Sequence, residues 1–442
     1  MLRVGIDFGT SNSSVTVYNG NDIRLIDLDP AAPDPRVMKS LVYFERTGGL
    51  HFGRAALDTY LTQNTGRAVR YEMRRIGEVS MTFADVGTMI KDAFALIDVN
   101  EPGRLFQSLK RFLSVTGFQA TNVFGHSYTV EELLSLLARH ILERIEAEVG
   151  AAETTITIGW PVRFSEDPEA DRLARHRARE AWRLAGVDSV EFVEEPVGAI
   201  RHFGHTRERR DEHVLVFDFG GGTLDVCVAR LRGAGIEVLS THGVPLGGDL
   251  LDSRMVETEL TPLFGERAHY KSTGLPLPNS LFTQLKTWQS IVDLSRPRPF
   301  ELIRRASQDT DEPEQLAALE ALVAKNYGLA LFQAVEQAKI ELSSEGSARV
   351  RLKRDAIAID HEVSRVAFEA VVRPQVEQAR ACVQEAVRLA ELAPETIDLA
   401  LTTGGSSAIP AFRRMLGESL PRAELQETSA FTSVAAGLAL PG

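Results

Sequence analysis

The segment Val214–Val228, V-L-V-F-D-F-G-G-G-T-L-D-V-C-V, limits the fold more than any other stretch of the chain. An apolar run rich in β-branched residues leads into Asp218, three glycines and Thr223, and strand character resumes at Leu224. Short apolar runs bounded by turn residues read as buried strands, so the segment predicts a β-hairpin. Gly220, Gly221 and Gly222 lack a Cβ and let the backbone turn sharply. Successive N–H groups in such a turn form a nest for an anion. The tip therefore suits a phosphate, with Asp218 beside it for a divalent cation and the Thr223 hydroxyl close by.

The N-terminus repeats the pattern. Val4–Val17 reads V-G-I-D-F-G-T-S-N-S-S-V-T-V, and Asp7 and Gly9 match Asp218 and Gly220 at a common offset of 211 residues. A supersecondary unit repeated at half the chain length predicts two similar halves. Each would present a phosphate hairpin, so a nucleotide would be gripped from both sides.

A net charge of −12 argues against a general nucleic-acid binder, which would show a basic face. Cys227 and Cys382 are too few and too far apart for a disulfide framework or a zinc site. No stretch reads as a transmembrane helix, and Arg3 and Asp7 break the N-terminal apolar run, so it does not read as a signal peptide. The expected location is cytoplasmic, with no membrane and no nucleic-acid partner.

Between and after the hairpins, the pattern alternates strands and helices. Residues 64–104 show no clear period and read as an irregular insertion. In Leu105–Leu113, Lys110 and Arg111 interrupt an apolar stretch. Thr129 with Glu132 forms a capping box ahead of an amphipathic helix to Val149. Thr154–Trp160 and Ser189–Val193 read as strands around the helix Glu169–Leu184. Glu195 follows the second strand and precedes Pro196, a ligand-facing position in α/β folds. His205–His213 is a polar crossover between the halves. Gly247-Gly248 is a further backbone turn, 266–313 a second irregular region, and Glu314–Leu342 a helix with Glu336, Lys339 and Ser343 on one face. A last strand, Ile397–Thr402, opens into Gly404-Gly405-Ser406-Ser407, followed by short helices at Pro410–Leu420 and Val434–Leu440.

Seven segments in this order resemble the nucleotide-binding domain of the seventy-kilodalton heat-shock (DnaK-like) chaperones, within the actin-like ATPase superfamily. They are G-I-D-F-G-T-S-N-S (Gly5–Ser13), F-Q-S-L-K-R-F-L (Phe106–Leu113), E-E-P-V-G-A (Glu194–Ala199) and D-F-G-G-G-T-L-D. L-G-G-D (Leu246–Asp249), E-Q-A-K-I-E-L-S (Glu336–Ser343) and T-G-G-S-S-A-I-P (Thr403–Pro410) complete the set. The resemblance implies an α/β fold of two actin-like (RNase H-like) lobes, each with a large and a small subdomain and with the nucleotide cleft between them. Lobe I would span 1–205 with a small subdomain and insertion at about 36–112. A crossover would follow at 206–213, and lobe II would span 214–442 with its small subdomain and insertion at about 250–335.

The resemblance further implies ATP or ADP with Mg2+ as cofactors. Gly9, Thr10, Ser11, Gly220, Gly221, Gly222 and Thr223 would cradle phosphates, and Asp7 and Asp218 would hold magnesium through water. Glu195 would orient a water of that shell, while Lys110 and Thr223 would help place the attacking water beside Asp218. Gly247, Gly248, Glu336, Lys339, Ser343, Gly404, Gly405 and Ser406 would surround the nucleoside. Two arginines that sandwich adenine in the family are replaced by Ile340 and Ala408, and an asparagine by Glu194. The family's linker and peptide-binding domain do not follow the ATPase region in this sequence, so a protein partner or client would be engaged in another way. Two functions stay open at this point. One is a slow ATPase coupling nucleotide state to lobe closure. The other is a nucleotide-switched protein with little turnover, such as a filament subunit or reactivating factor. A small-molecule kinase of the same superfamily would need a carboxylate base beside an acceptor pocket, where this chain carries Lys110-Arg111.

Overall fold

Each D-F-G segment forms a β-hairpin, and each hairpin seeds a sheet of the same strand order. A computed structural model of the chain describes residues 2–83, 87–150, 152–187, 189–206, 211–233, 235–429 and 432–441. In the first sheet, β1 (Leu2–Phe8) pairs antiparallel with β2 (Asn12–Tyr18), which pairs with β3 (Ile23–Leu25) and β4 (Met38–Lys39). On its other side β1 is parallel to β5 (Thr154–Trp160), and β5 to β6 (Glu191–Glu194). In the second sheet, β7 (Asp211–Phe219) pairs antiparallel with β8 (Leu224–Arg232), and β8 with β9 (Gly235–Val244). Parallel to β7 runs β10 (Leu399–Thr403), and parallel to that β11 (Glu424–Glu427). The two orders, β6-β5-β1-β2-β3 and β11-β10-β7-β8-β9, are the same pattern twice. The fold is the α/β, actin-like ATPase class expected from the sequence.

Parallel pairing requires crossovers, and helices supply them. In the first half these are α1 (Val130–Val149), α2 (Pro168–Leu184) and α3 (Glu195–Thr206). In the second they are α4 (Arg373–Leu389), α5 (Pro410–Ser419) and α6 (Ser433–Ala439). The capping box at Thr129 forms as expected. The Thr129 hydroxyl accepts from the Glu132 N–H at 3.2 Å, and Glu132 accepts from the Thr129 N–H at 2.8 Å. Leu133, Leu137, Ile141 and Ile145 then point into a core that includes Val4, Ile6 and Trp182.

α6 is wholly buried and packs against β1 and α3. It approaches so closely that a Cβ on Gly437 would stand 1.7 Å from the Gly198 carbonyl oxygen. Arg3 Nε donates to the Ala439 carbonyl at 3.2 Å, which ties the end of α6 back to β1.

The chain divides into two compact units. Both sheets belong to the first, made of Met1–Thr59, Arg104–Leu251 and Val366–Gly442. The second comprises Tyr60–Gly103 and Asp252–Arg365, and here several sequence expectations change. Residues 64–104 are not irregular. Tyr71–Phe83 and Gly87–Asp98 form a long antiparallel hairpin whose tip lies outside the described residues. A register shift between Arg75 and Gly77 breaks the period-two pattern, which hid the strand in the sequence. Within 266–313 there are short helices, Asn279–Thr283, Trp288–Asp293 and Pro297–Gln308. The helix expected over Glu314–Leu342 is two, Pro313–Ala324 and Gly328–Ser344. Asn326 separates them with φ +54°, and its side-chain amide donates to Tyr60 Oη and the Asn64 carbonyl. That left-handed residue ends the first helix, a role Asn tolerates better than most residues. Of the expected crossover at 206–213, residues 207–210 lie outside the described residues.

Gly437→Ala should destabilise the chain by about 3 kcal/mol, because backbone rather than a movable side chain blocks the new methyl. Gly417→Ala, on an exposed turn of α5 with its nearest neighbour at 3.9 Å, should be neutral or stabilise by about 0.5 kcal/mol. Urea unfolding of the two variants checks the opposite signs.

Candidate functional site

Carboxylates gather where strands of the two sheets end. Asp7 lies near the end of β1, Asp218 near the end of β7, and Glu195 begins α3 directly after β6. Asp225 lies directly opposite Asp218 in the β7–β8 pairing. Like charges facing each other across strands repel. Asp218, Asp225 and Glu195 are all buried, and so is Lys110. Lys110 Nζ donates to Glu195 Oε1 at 2.9 Å.

The electrostatics follow from this crowding. Burial pushes the Asp7 carboxyl up to about 8, with the Glu195 charge adding to the rise and Lys110 opposing it. Asp218 is held well above the usual carboxylate range by burial, then by Glu195, Asp7 and Asp225. Asp225 is likewise raised to about 8 by burial and Glu195, although hydrogen bonds from Thr223 and from the Val162 N–H at 2.7 Å favour its anion. Ionised, the cluster would carry more negative charge than its lysine can balance, an arrangement a divalent cation would relieve. Among the described residues, no group of three or more His, Cys, Asp or Glu side chains is placed to ligate one metal ion directly. Asp7 and Asp218 are the two acids that could hold a hydrated ion through water, the mode magnesium prefers.

The two hairpin tips meet beside these acids. A Cβ on Gly221 would stand 2.0 Å from Ser11 Oγ, and one on Gly222 2.6 Å from Thr10 Oγ1. Only glycine fits so close to the opposing hydroxyls. The turn at Gly247 packs against the same tip, where its Cβ would lie 2.1 Å from the Gly221 carbonyl oxygen. The N–H of Gly248 donates to the Gly220 carbonyl and that of Asp249 to the Gly221 carbonyl, both at 3.0 Å. Gly404, with φ +79°, follows β10, and the Ser406 hydroxyl donates to the Gly220 carbonyl at 3.2 Å. Gly9 is backed by Ser40, whose hydroxyl donates to its carbonyl at 2.9 Å. Gly405 opens the short turn Gly405–Ala408.

The sequence-predicted residues Asp7, Gly9, Thr10, Ser11, Lys110, Glu195, Asp218, Gly220–Thr223, Gly247, Gly248 and Gly404–Ser406 thus all belong to the first unit. Glu336, Lys339 and Ser343 belong to the second, on the helix Gly328–Ser344. Within that unit Lys339 Nζ donates to Asp252 Oδ2 at 2.8 Å, so this lysine forms a largely buried ion pair. Ile340, next to it, is 56% exposed.

Sequence reasoning missed Asp225, Ser108 and Asp249. The signal for Asp225 was available, since an acid within the apolar run L-D-V-C-V is out of place unless it serves a site. Ser108 and Asp249 carried no such signal, because each needs the turn geometry that joins them.

A profile of the family described as Hsp70 protein matches residues 3–268 and 319–442. The chain is 24% identical to the chaperone protein DnaK of Cyanophora paradoxa over 99% of its length and 59% of that protein's. It is 28% identical to DnaK of Mycoplasmopsis pulmonis over 76% of its length and 47% of that protein's, and 26% identical to DnaK of Cyanidium caldarium over 99% and 60%. It spans roughly half to three-fifths of these curated relatives.

The raised carboxyls set a pH dependence. A folded-state pKa near 8, for Asp7 and Asp225, means the folded protein binds protons that the unfolded chain has released. Their contribution is fully present below the unfolded pKa, about 4, and is lost as pH rises through 8. Protein stripped of divalent cation should lose thermal stability between pH 5 and 8. Asp225→Asn, which keeps an acceptor for the Val162 N–H, should flatten that slope. Melting curves across this pH range, with and without Asp225→Asn, check it.

Proposed function

Because the chain belongs to the Hsp70 family, we propose that it binds Mg-ATP, hydrolyses it slowly, and couples nucleotide state to lobe closure and to engagement of a protein client. The observation that carries this reading is the buried Lys110–Glu195 pair set among Asp7, Asp218 and Asp225, beside two converging hairpin tips. The backbone of Thr10, Ser11, Gly221 and Gly222 and the hydroxyl of Thr223 hold the β- and γ-phosphates. Asp7 and Asp218 hold hydrated magnesium, which neutralises phosphate charge when bound. Glu195 and Lys110 fix the position of a water for attack on the terminal phosphate. Such a site works through positioning and charge stabilisation, without a covalent step on the protein.

Two features set the expected behaviour. Lys110 is held by Glu195 and by a turn whose first residue, Ser108, adopts φ +54°, so its ammonium is placed before nucleotide arrives. No helix among the described residues is long and apolar enough to cross a membrane, and none is needed for this chemistry. The two halves, 1–205 and 214–442, act as the lobes that close on nucleotide.

Single-turnover release of phosphate from Mg-ATP tests the reading. Wild type should release phosphate slowly. Lys110→Ala should keep ATP binding and lose about 100-fold or more in rate, as when a preorganised charge is removed from a site. Tight ATP binding with no release from either protein would overturn hydrolysis and leave a nucleotide-switched binding protein. Absence of ATP binding would overturn the whole reading.

A further inference from the structure

Three donors from two separate segments converge on one carboxylate outside the acidic cluster. Ser11 Oγ, from the first hairpin tip, donates to Asp249 Oδ1 at 3.3 Å. Ser108 Oγ donates to Asp249 Oδ2 at 3.0 Å. The Arg111 guanidinium stands 3.6 Å from the same oxygen. The Asp249 N–H meanwhile donates to the Gly221 carbonyl, which fixes the carboxylate over the second hairpin tip. Ser108 caps the start of the turn Leu109–Phe112, which carries Lys110 and Arg111. Ser108 also carries a left-handed φ of +54°, a conformation that costs a non-glycine residue energy and persists only when its surroundings hold it. The hydroxyl bond to Asp249 is one such restraint.

Two hydroxyls and a guanidinium are the donors a phosphate oxygen would choose. We propose that Asp249 is a resident anion that occupies phosphate donors, so that nucleotide phosphate displaces it on entry and leaves against it on release. This rests on the reading above that Ser11 and the glycine tip hold phosphate. The carboxylate then does two things. It keeps Ser11, Ser108 and Arg111 assembled before ligand arrives. It also lowers affinity for product phosphate through charge repulsion, which favours turnover over product trapping. A residue serving only to brace the loops would do the first and not the second, so the sign of the affinity change separates the two.

The probes are inorganic phosphate and MgADP, titrated calorimetrically into the full chain as wild type, Asp249→Ala and Asp249→Asn. Asp249→Asn keeps an acceptor for the serines and removes the charge, so it covers the case in which Asp249→Ala fails to fold. Both folded variants should bind phosphate, in the presence of MgADP, about tenfold or more tighter than wild type. If wild type binds MgADP but the folded variants bind phosphate equally or more weakly, the resident-anion proposal is overturned and the ATPase reading survives. If wild type binds neither probe while a variant binds phosphate, Asp249 guards an anion site that is not a nucleotide site, and both the ATPase reading and displacement by nucleotide are overturned. If no protein binds either probe, both fall.

Discussion

The site depends on a crowd of buried carboxyls with a single ammonium among them. Asp218, Asp225 and Glu195 are buried together, Asp7 is electrostatically joined to them, and Lys110 is the ammonium set among them. Burying unbalanced charge is costly unless partners compensate, and in a closed site the penalty appears as carboxyls that resist ionisation. The cluster is therefore a poor way to stabilise a fold. It is suited to a dication, because a bound cation would restore both ionisation and stability. Stability and the binding of a cation would then be linked at these residues.

The scaffold makes this tolerable by rigidity. β1, β6, β7 and β10 all deliver site residues near or just beyond their C-terminal ends, where open α/β sheets generally place ligands. The buried helix α6 is pressed onto β1 and α3 through glycine contacts that admit no methyl group. Glu195 opens α3, so packing at Gly198 and Gly437 helps to set the position of the carboxylate that holds Lys110. Glu195 cannot draw away from the other acids without disturbing those contacts.

Much of this was legible in the sequence. Both hairpins, the capped helix α1, the strand β5 and the ordered set of glycine turns could be read from residue type and spacing, because each rests on local chemistry. What escaped depended on registers and breaks that spacing does not encode. A bulge between Arg75 and Gly77 erased the alternation of a long hairpin. Asn326, stabilised by contacts to Tyr60 and Asn64 far away in sequence, split what looked like one helix. Asp249 looked like an acid in a turn until Ser11 and Ser108, distant in sequence, proved to be its partners.

The repeat itself shows why similarity between the halves is an incomplete guide. The sheets share one strand order, yet their hairpin tips have diverged in complementary ways. The first tip carries the hydroxyls of Thr10 and Ser11, and the second carries Gly221 and Gly222 against them at distances no Cβ could occupy. Two hydroxylic tips would collide, and two glycine tips would leave a gap with backbone N–H groups but no hydroxyls. Divergence also extends to the paired strands, where Asp7 faces Ser14 while Asp218 faces Asp225. Only the second hairpin pairs two acids across its strands, while the second acid of the first half, Glu195, is matched by Lys110. Two hairpins of equivalent place in the fold have thus become unlike in tip chemistry and in the residues their acids face.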